Sequence, residues 1–364
     1  MSGHRTVVGC MTGTSIDGLD CSLVRVDGVG LDLVPRFVRH AEFSLGALAA
    51  PLRTLADQHP TTAGEIARLA RDFALLHVEG IRGLLRGERA DLICVHGQTV
   101  FHAPPVSWQL MQPSPIAAGV GCPVISDLRQ ADLAAGGQGA PLTPIADWIF
   151  FREVGRRVAV VNLGGFCNIT LLPAQGGIDA IEALDVCVCN QLLDRIARDR
   201  LGVPFDADGA HAAEGHANLV AAEDLRQVLT SARGRSLGTG DEATAWLGRW
   251  RTIDPRDLAA TASETIGRVI GEKVQGADRV LIAGGGIRHA RLRAAIARAA
   301  GVEAEATDAA GLPAQARESA QFAVLGALAW DGVPVSLPRV TGCPGSAPLA
   351  GSWTPPPGWA YARP

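Results

Sequence analysis

Three stretches of the chain join glycine to short hydroxyl, amide or carboxylate side chains. The first runs Gly13, Thr14, Ser15, Ile16, Asp17, Gly18. Small residues let main-chain amides come close to a phosphate, and the Thr14 and Ser15 hydroxyls can donate to it. Asp17 has the chemistry to hold a hydrated Mg²⁺. The second stretch, Asn162, Leu163, Gly164, Gly165, Phe166, Cys167, Asn168, follows the same logic. The third is Gly284, Gly285, Gly286, followed by Ile287 and Arg288. Three glycines at a strand-to-helix junction let a flat ring or a phosphate lie against the backbone near a helix N-terminus. Any one of these reads as well as an ordinary turn. All three leave strand ends and they spread over both halves of the chain, which points to two lobes closing on one nucleotide.

Such loops need rigid supports on either side. Val7 to Cys10 is a short β-run before the first loop, and Asp20 to Val26 is the returning strand, ending at Asp27-Gly28. Ala63 to Leu85 carries Ile66, Leu69, Phe73 and Leu76 at helical spacing. Leu92 to Val95 and Pro123 to Ser126 read as buried strands, running into His96-Gly97-Gln98-Thr99 and Asp127. The second half repeats the style. Arg157 to Asn162 is a strand with Asn168 to Leu172 as its hairpin partner, and Val280 to Ala283 is a further strand. Asn190 to Leu201, Ala259 to Val274, Ala290 to Ala300 and Ser319 to Trp330 read as helices. Each half opens with strand, glycine turn and returning strand, a duplicated α/β architecture. After Pro334 the chain is rich in Pro and Gly and reads as an irregular tail.

Composition excludes several classes. Of 364 residues 47% are hydrophobic and 19% charged, enough for large cores and too apolar for wholesale disorder. A net charge of -4 gives no electrostatic footprint for nucleic acid or an anionic membrane. Lys273 is the only lysine and falls in a helical stretch, so a Walker-type phosphate loop is excluded. The eight cysteines form no CxxC pair and no zinc-like spacing. With no apolar leader or bilayer-length run, the expectation is a reduced, soluble, cytoplasmic protein.

The stretches GCMTGTSIDGLD, HGQTVFHAP, SDLRQADLAAGGQGAPLTP, VVNLGGFCNIT, DPRDLAAT, IAGGGIRHARL, ATDAAGLP with RESAQFAVLGALAW, and LPRVTG occur in that order. In them the chain resembles the anhydro-N-acetylmuramic acid kinases of the actin, Hsp70 and sugar-kinase superfamily. The resemblance implies a two-lobed actin-like (ASKHA) fold of duplicated RNase H-like domains with a central cleft. It implies a lobe of residues 1–128 plus 338–364 and a second of 129–337 carrying nucleotide and sugar sites. It implies ATP-dependent opening of 1,6-anhydro-N-acetylmuramic acid with water to give N-acetylmuramic acid 6-phosphate in cell-wall recycling, with ATP and Mg²⁺ and a homodimeric state. Carried onto this chain, the family's catalytic base falls on Asp185. ATP binding falls on Gly13, Thr14, Ser15, Asp17, Gly18, Asn162, Gly164, Gly165, Asn168 and Gly284 to Gly286. The sugar pocket draws on His96, Gln98, Arg129, Asp132 and Glu318. Arg129 and Asp132 sit three apart and on a helical turn would face one cavity.

Two departures stand out. The family's Asp-Thr-Gly-Pro-Gly-Asn around the base reads here Asp185, Val186, Cys187, Val188, Cys189, Asn190, so a turn built on glycines must carry side chains. The family's Ser-Thr-Gly-Arg-Glu reads Ser236, Leu237, Gly238, Thr239, Gly240, Asp241, Glu242, without the arginine. These changes leave open a kinase repurposed to another sugar-like or secondary-metabolite acceptor, or a binding protein without turnover. If the Asp185 segment is extended, Cys187 and Cys189 point the same way, as a buried pair of small apolar side chains or a metal or redox pair.

Overall fold

The structure is a computed structural model that describes residues 4–231 and 241–359, the backbone alone for Asp241 and Glu242. It divides into two compact units, Met1–Phe150 with Ala316–Pro364, and Phe151–Gln315. Residues 129–150 and 316–337, assigned to the second lobe from sequence, therefore belong to the first unit. Among the described residues no helix is long and apolar enough to cross a membrane.

The first unit opens with an antiparallel meander of β1 (Arg5–Met11), β2 (Gly18–Asp27) and β3 (Val34–Ser44). β4 (Leu92–Val95) lies parallel to β1. A separate hairpin, β5 (Gln98–Ala103) with β6 (Val106–Leu110), follows it. β7 (Val124–Ser126) then lies parallel to β4. The helix Ala63–Leu85 has the bounds its periodicity predicts. Thr62 and Glu65 close a capping box at its start, and Leu69, Phe73, Ile81 and Leu84 are buried. The helix Arg317–Trp330 packs against β1 and β4, and glycine sets how closely. A Cβ on Gly9 would stand 2.0 Å from the Ser319 carbonyl oxygen, and one on Gly326 would stand 2.5 Å from Cys94 Cβ.

In the second unit β8 (Val158–Leu163), β9 (Phe166–Leu172) and β10 (Glu182–Val188) form an antiparallel meander. β11 (Arg279–Ala283) lies parallel to β8, and β12 (Ala304–Ala306) parallel to β11. The helix Pro255–Lys273 begins four residues before the expected Ala259, because the Asp254 side chain caps it and Pro255 occupies its first turn. It crosses the helix Ala290–Ala300 at Gly267 and Gly271, where added Cβ atoms would meet Ala295 and Ala299 at 2.5 and 2.6 Å. Asn190–Ile196 is α-helical, and a π-turn, Ala197–Leu201, completes the helical stretch expected there.

Back in the first unit, β13 (Ser352–Thr354) pairs antiparallel with β7. The tail is thus not wholly irregular: it holds a short helix, Pro338–Thr341, and this strand, which takes the free edge of β7. Counting only the strands of each main sheet in chain order, and leaving β13 aside, both sheets share one order. Strands three, two and one form the meander, and strands four and five run parallel to strand one. That is the duplicated RNase H-like α/β arrangement expected from the resemblance.

Candidate active site

In the first unit β1, β4 and β7 are parallel, so their carboxyl ends share one edge of the sheet, the edge where ligands bind in such sheets. β1 ends into the first glycine loop. Thr14, Ser15 and Asp17 are exposed on it, while Ile16 is buried beneath with a φ of 52°. A β-branched residue in that region is strained. The loop is held there by the Ile16 amide donating to the Gly13 carbonyl (3.2 Å) and Arg53 donating to the Ile16 carbonyl (3.0 Å). The Thr12 hydroxyl at its base is buried without a partner.

β4 ends at His96, whose amide donates to the Cys10 carbonyl at 3.1 Å. His96 Nδ1 lies 2.8 Å from the Gly97 carbonyl oxygen, which can only accept, so Nδ1 carries the proton and Nε2 is an acceptor. Arg129 donates to that Nε2 from Nη2 (3.0 Å) and Nε (3.3 Å), and from Nη1 to the Gly139 carbonyl (2.7 Å). Burial, with Arg129 alongside, pulls His96 down to about 3, so the ring is neutral at physiological pH. Burial also lowers Arg129 to about 10. Gln98, at the start of β5, is fully buried. Its amide donates to the Thr99 carbonyl at 3.1 Å and its oxygen has no partner.

Asp132 is held by the protein itself. It is fully buried, and its carboxylate accepts from the Gly139 amide (2.7 Å) and the Thr341 hydroxyl (2.8 Å). It ties the loop of residues 136–141 to the short helix Pro338–Thr341 and does not pair with Arg129. Arg129 is the N-cap of the helix Gln130–Ala134, with its own backbone already in the helical region. Glu318 is half-buried in the first turn of the helix Arg317–Trp330.

In the second unit the remaining loops gather at the carboxyl ends of β8 and β11. The tip of the β8–β9 hairpin, Gly164 and Gly165, accepts main-chain hydrogen bonds from Cys189 (2.8 Å), Asn190 (3.0 Å) and Gln191 (3.2 Å). Asn190 Nδ2 donates to the Leu163 carbonyl at 2.7 Å. A Cβ on Gly286 would stand 2.9 Å from Asn190 Oδ1, and one on Gly284 2.8 Å from Asn162 Oδ1. Asn162, Gly164, Gly165 and Gly284 to Gly286 are thus brought together. Asn190 sits among them, a residue the sequence marked only as surviving in the altered motif. Asn168 is exposed and stands opposite Asp185 in the β9–β10 register.

Asp185 itself is exposed on β10, but protein crowds one side of it, and that partial desolvation raises its carboxyl above the ordinary range. The altered motif is strand and not turn. The register shifts between Asp185 and Cys187, and β10 continues to Val188. Cys167, Cys187 and Cys189 are all buried, and burial raises each thiol, Cys189 to about 12. Such thiols are inert core groups. Among the described residues no cluster of three metal-ligating side chains occurs. Ser236 to Gly240 lie outside the described residues.

The model of the family described as anhydro-N-acetylmuramic acid kinase matches residues 5–356. A protein of that name from Salinibacter ruber is 34% identical, with 95% of each chain covered. Another from Streptomyces coelicolor is 34% identical over 96% of this chain and 93% of its own. Among solved structures, component A of (R)-2-hydroxyglutaryl-CoA dehydratase from Acidaminococcus fermentans aligns with a TM-score of 0.47 at 14% identity, covering 89% of this chain and 98% of its own. With the family match running over nearly the whole length, the chain belongs to the anhydro-N-acetylmuramic acid kinase family.

Proposed function

We propose that the protein converts 1,6-anhydro-N-acetylmuramic acid, water and ATP to N-acetylmuramic acid 6-phosphate and ADP. The observation that carries the reaction onto this chain is Asp185, a solvent-reachable carboxylate whose proton affinity is raised by partial desolvation. A base with a raised pKa takes a proton from water more readily. The oxygen of water bonds to the anomeric carbon as the bond from that carbon to O6 breaks. O6 takes the γ-phosphoryl group, ADP leaves, and the water proton passes to Asp185. Protein amides and hydroxyls supply the rest, since phosphoryl transfer is mainly positioning and charge stabilisation. In the first unit these are Gly13, Thr14, Ser15 and Gly18. In the second they are Asn162, Gly164, Gly165, Asn168 and the Gly284 to Gly286 turn. His96, Gln98, Arg129 and Glu318 contact the sugar, and Asp132 holds the loop on which Arg129 also rests.

Mg²⁺ fits this donor set. It keeps several waters and is held by one or two carboxylates plus the substrate's phosphates, so a dedicated three-ligand cage is not required. Exposed Asp17 on the first loop would hold it through water, and the ion would neutralise charge on the phosphates. We read the setting as cytoplasmic cell-wall recycling by a homodimer.

The test is ATP turnover with the anhydro sugar, with product mass, for wild type and Asp185→Asn. Wild type forms the ring-opened phosphate. Asp185→Asn slows it by roughly 10² to 10⁴-fold, as expected for loss of a general base, while still binding nucleotide. Sugar-independent ATP hydrolysis alone in wild type would sink the kinase reading. An unimpaired variant would sink the assignment of the base.

A further inference from the structure

We propose that His289 is a positioning residue for the nucleotide, keying the Gly284 to Gly286 turn to the helix Pro255–Lys273 through Ser263. The inference rests on the proposed nucleotide site and deepens it. It requires no contact between His289 and the ligand.

It starts from where the turn stands. β8, β11 and β12 run parallel, so Gly284 to Gly286 leave the sheet at the edge where ligands bind. The turn has no side chains of its own to hold it. Gly284 has a φ of 85°, and a Cβ there would stand 2.7 Å from the Leu163 carbonyl oxygen. Glycine loses more freedom on ordering than any other residue, so this turn needs an anchor at its end. That anchor is His289. Its amide donates to the Gly286 carbonyl at 3.1 Å, and the same residue is the N-cap of the helix Ala290–Ala300.

The imidazole is engaged at both nitrogens. Nδ1 accepts from the Leu292 amide at 3.4 Å, so the ring proton is on Nε2. The Ser263 hydroxyl donates to the Ala259 carbonyl at 2.7 Å, which leaves its oxygen to accept from Nε2 at 3.2 Å. Asp206 Oδ2 lies 4.0 Å from the same nitrogen, and its carboxylate accepts from the His211 and Ala212 amides at 2.9 and 3.0 Å. Gly209 lies against the ring, where a Cβ would stand 2.5 Å from Nδ1. His289 and Ser263 are both buried. Burial holds the imidazole below its usual value, so at neutral pH Nδ1 is free to accept. Capping a helix needs only one acceptor, and a shorter side chain supplies it. What the imidazole adds is reach, a second bond to a helix 26 residues earlier in the chain. A ring held on both nitrogens and against Gly209 cannot swing, so the turn it closes is set before nucleotide arrives and less ordering is left for binding to do.

The experiment is ATP affinity of the full-length protein by titration calorimetry for wild type, His289→Ala, His289→Asn and Ser263→Ala. The Tm without ligand and KM for the anhydro sugar at saturating ATP are measured alongside. His289→Ala should lower Tm and weaken ATP by about 10-fold, the scale of leaving one buried hydrogen-bonding partner unsatisfied. His289→Asn keeps an acceptor for the cap but is too short to reach Ser263, so it should recover Tm and not affinity. Ser263→Ala leaves the cap in place and should weaken ATP by a similar factor. KM for the sugar should not move in any of them. A purely structural cap would act on Tm alone. Wild-type ATP affinity in both His289→Asn and Ser263→Ala would therefore overturn the inference and leave the nucleotide site standing. No ATP binding by wild type would take down the nucleotide reading of the turn, and the inference with it.

Discussion

Asp185 must be ionised to accept a proton from water, which gives the reaction a pH signature. Activity is lost as pH falls through the carboxyl's pKa. Desolvation raises that pKa above 3.8, so the acid limb of kcat/KM should lie above the ordinary aspartate range. His96 cannot be its source, since its ring already titrates at about 3. A pH–rate profile checks this, and a limb at or below 3.8 would contradict it. Stability gives a second check. The native surroundings disfavour the charged form of Asp185, so Asp185→Asn should melt no lower than wild type at neutral pH, although it loses activity. A drop in Tm would mean the carboxylate holds the strand together.

At the scale of elements, the sharpest constraints are glycines under helices. A methyl on Gly9 would sit 2.0 Å from the Ser319 carbonyl and 2.3 Å from the Ala323 amide, so the helix Arg317–Trp330 would have to move off the sheet. Gly9→Ala should cost about 3 kcal/mol or more, the upper end of overpacking. Thr62→Ala removes only the cap of Ala63–Leu85 and should cost about 1 kcal/mol. Urea unfolding of the two variants separates the cases, and equal losses would refute the packing account. The same contrast marks what was legible in the sequence. Elements specified locally could be read: the capping box at Thr62 and Glu65, the apolar runs of β1, β4 and β8, and the glycine turns between them. Elements recruited by a neighbour could not. β13 lies in a stretch rich in Pro and Gly and is a strand because β7 offers an edge. β3, with Pro35 and a half-polar pattern, forms along β2. In the candidate site the loops were visible as composition. The satisfaction of Asp132 was not, because its partners are 7 and 209 residues away.

At the scale of the whole molecule, one sheet order is used twice, and the chain leaves the first unit after Phe150 and re-enters it at Ala316. Just inside both crossings stand Asp147 and Arg317. Arg317 Nη2 donates to both Asp147 oxygens at 2.7 and 2.6 Å, Nε adds a third contact at 3.0 Å, and Gln321 donates to the same carboxylate at 2.6 Å. Both charged residues are buried, so their ion pair lies away from water. The pair joins the outgoing and the returning chain, 170 residues apart in sequence. Removing one partner strands the other. Arg317→Met should therefore cost the first unit about 3–5 kcal/mol. Replacing both, as Asp147→Leu with Arg317→Met, removes the stranded charge. It should recover most of that loss, short of the share owed to an unpaired Gln321 amide. Denaturation followed by a probe confined to the first unit is the measurement, because two units need not unfold as one. If the double variant is no more stable than Arg317→Met, the pair is not a closed ionic unit, and the two crossings are held by packing of their helices instead.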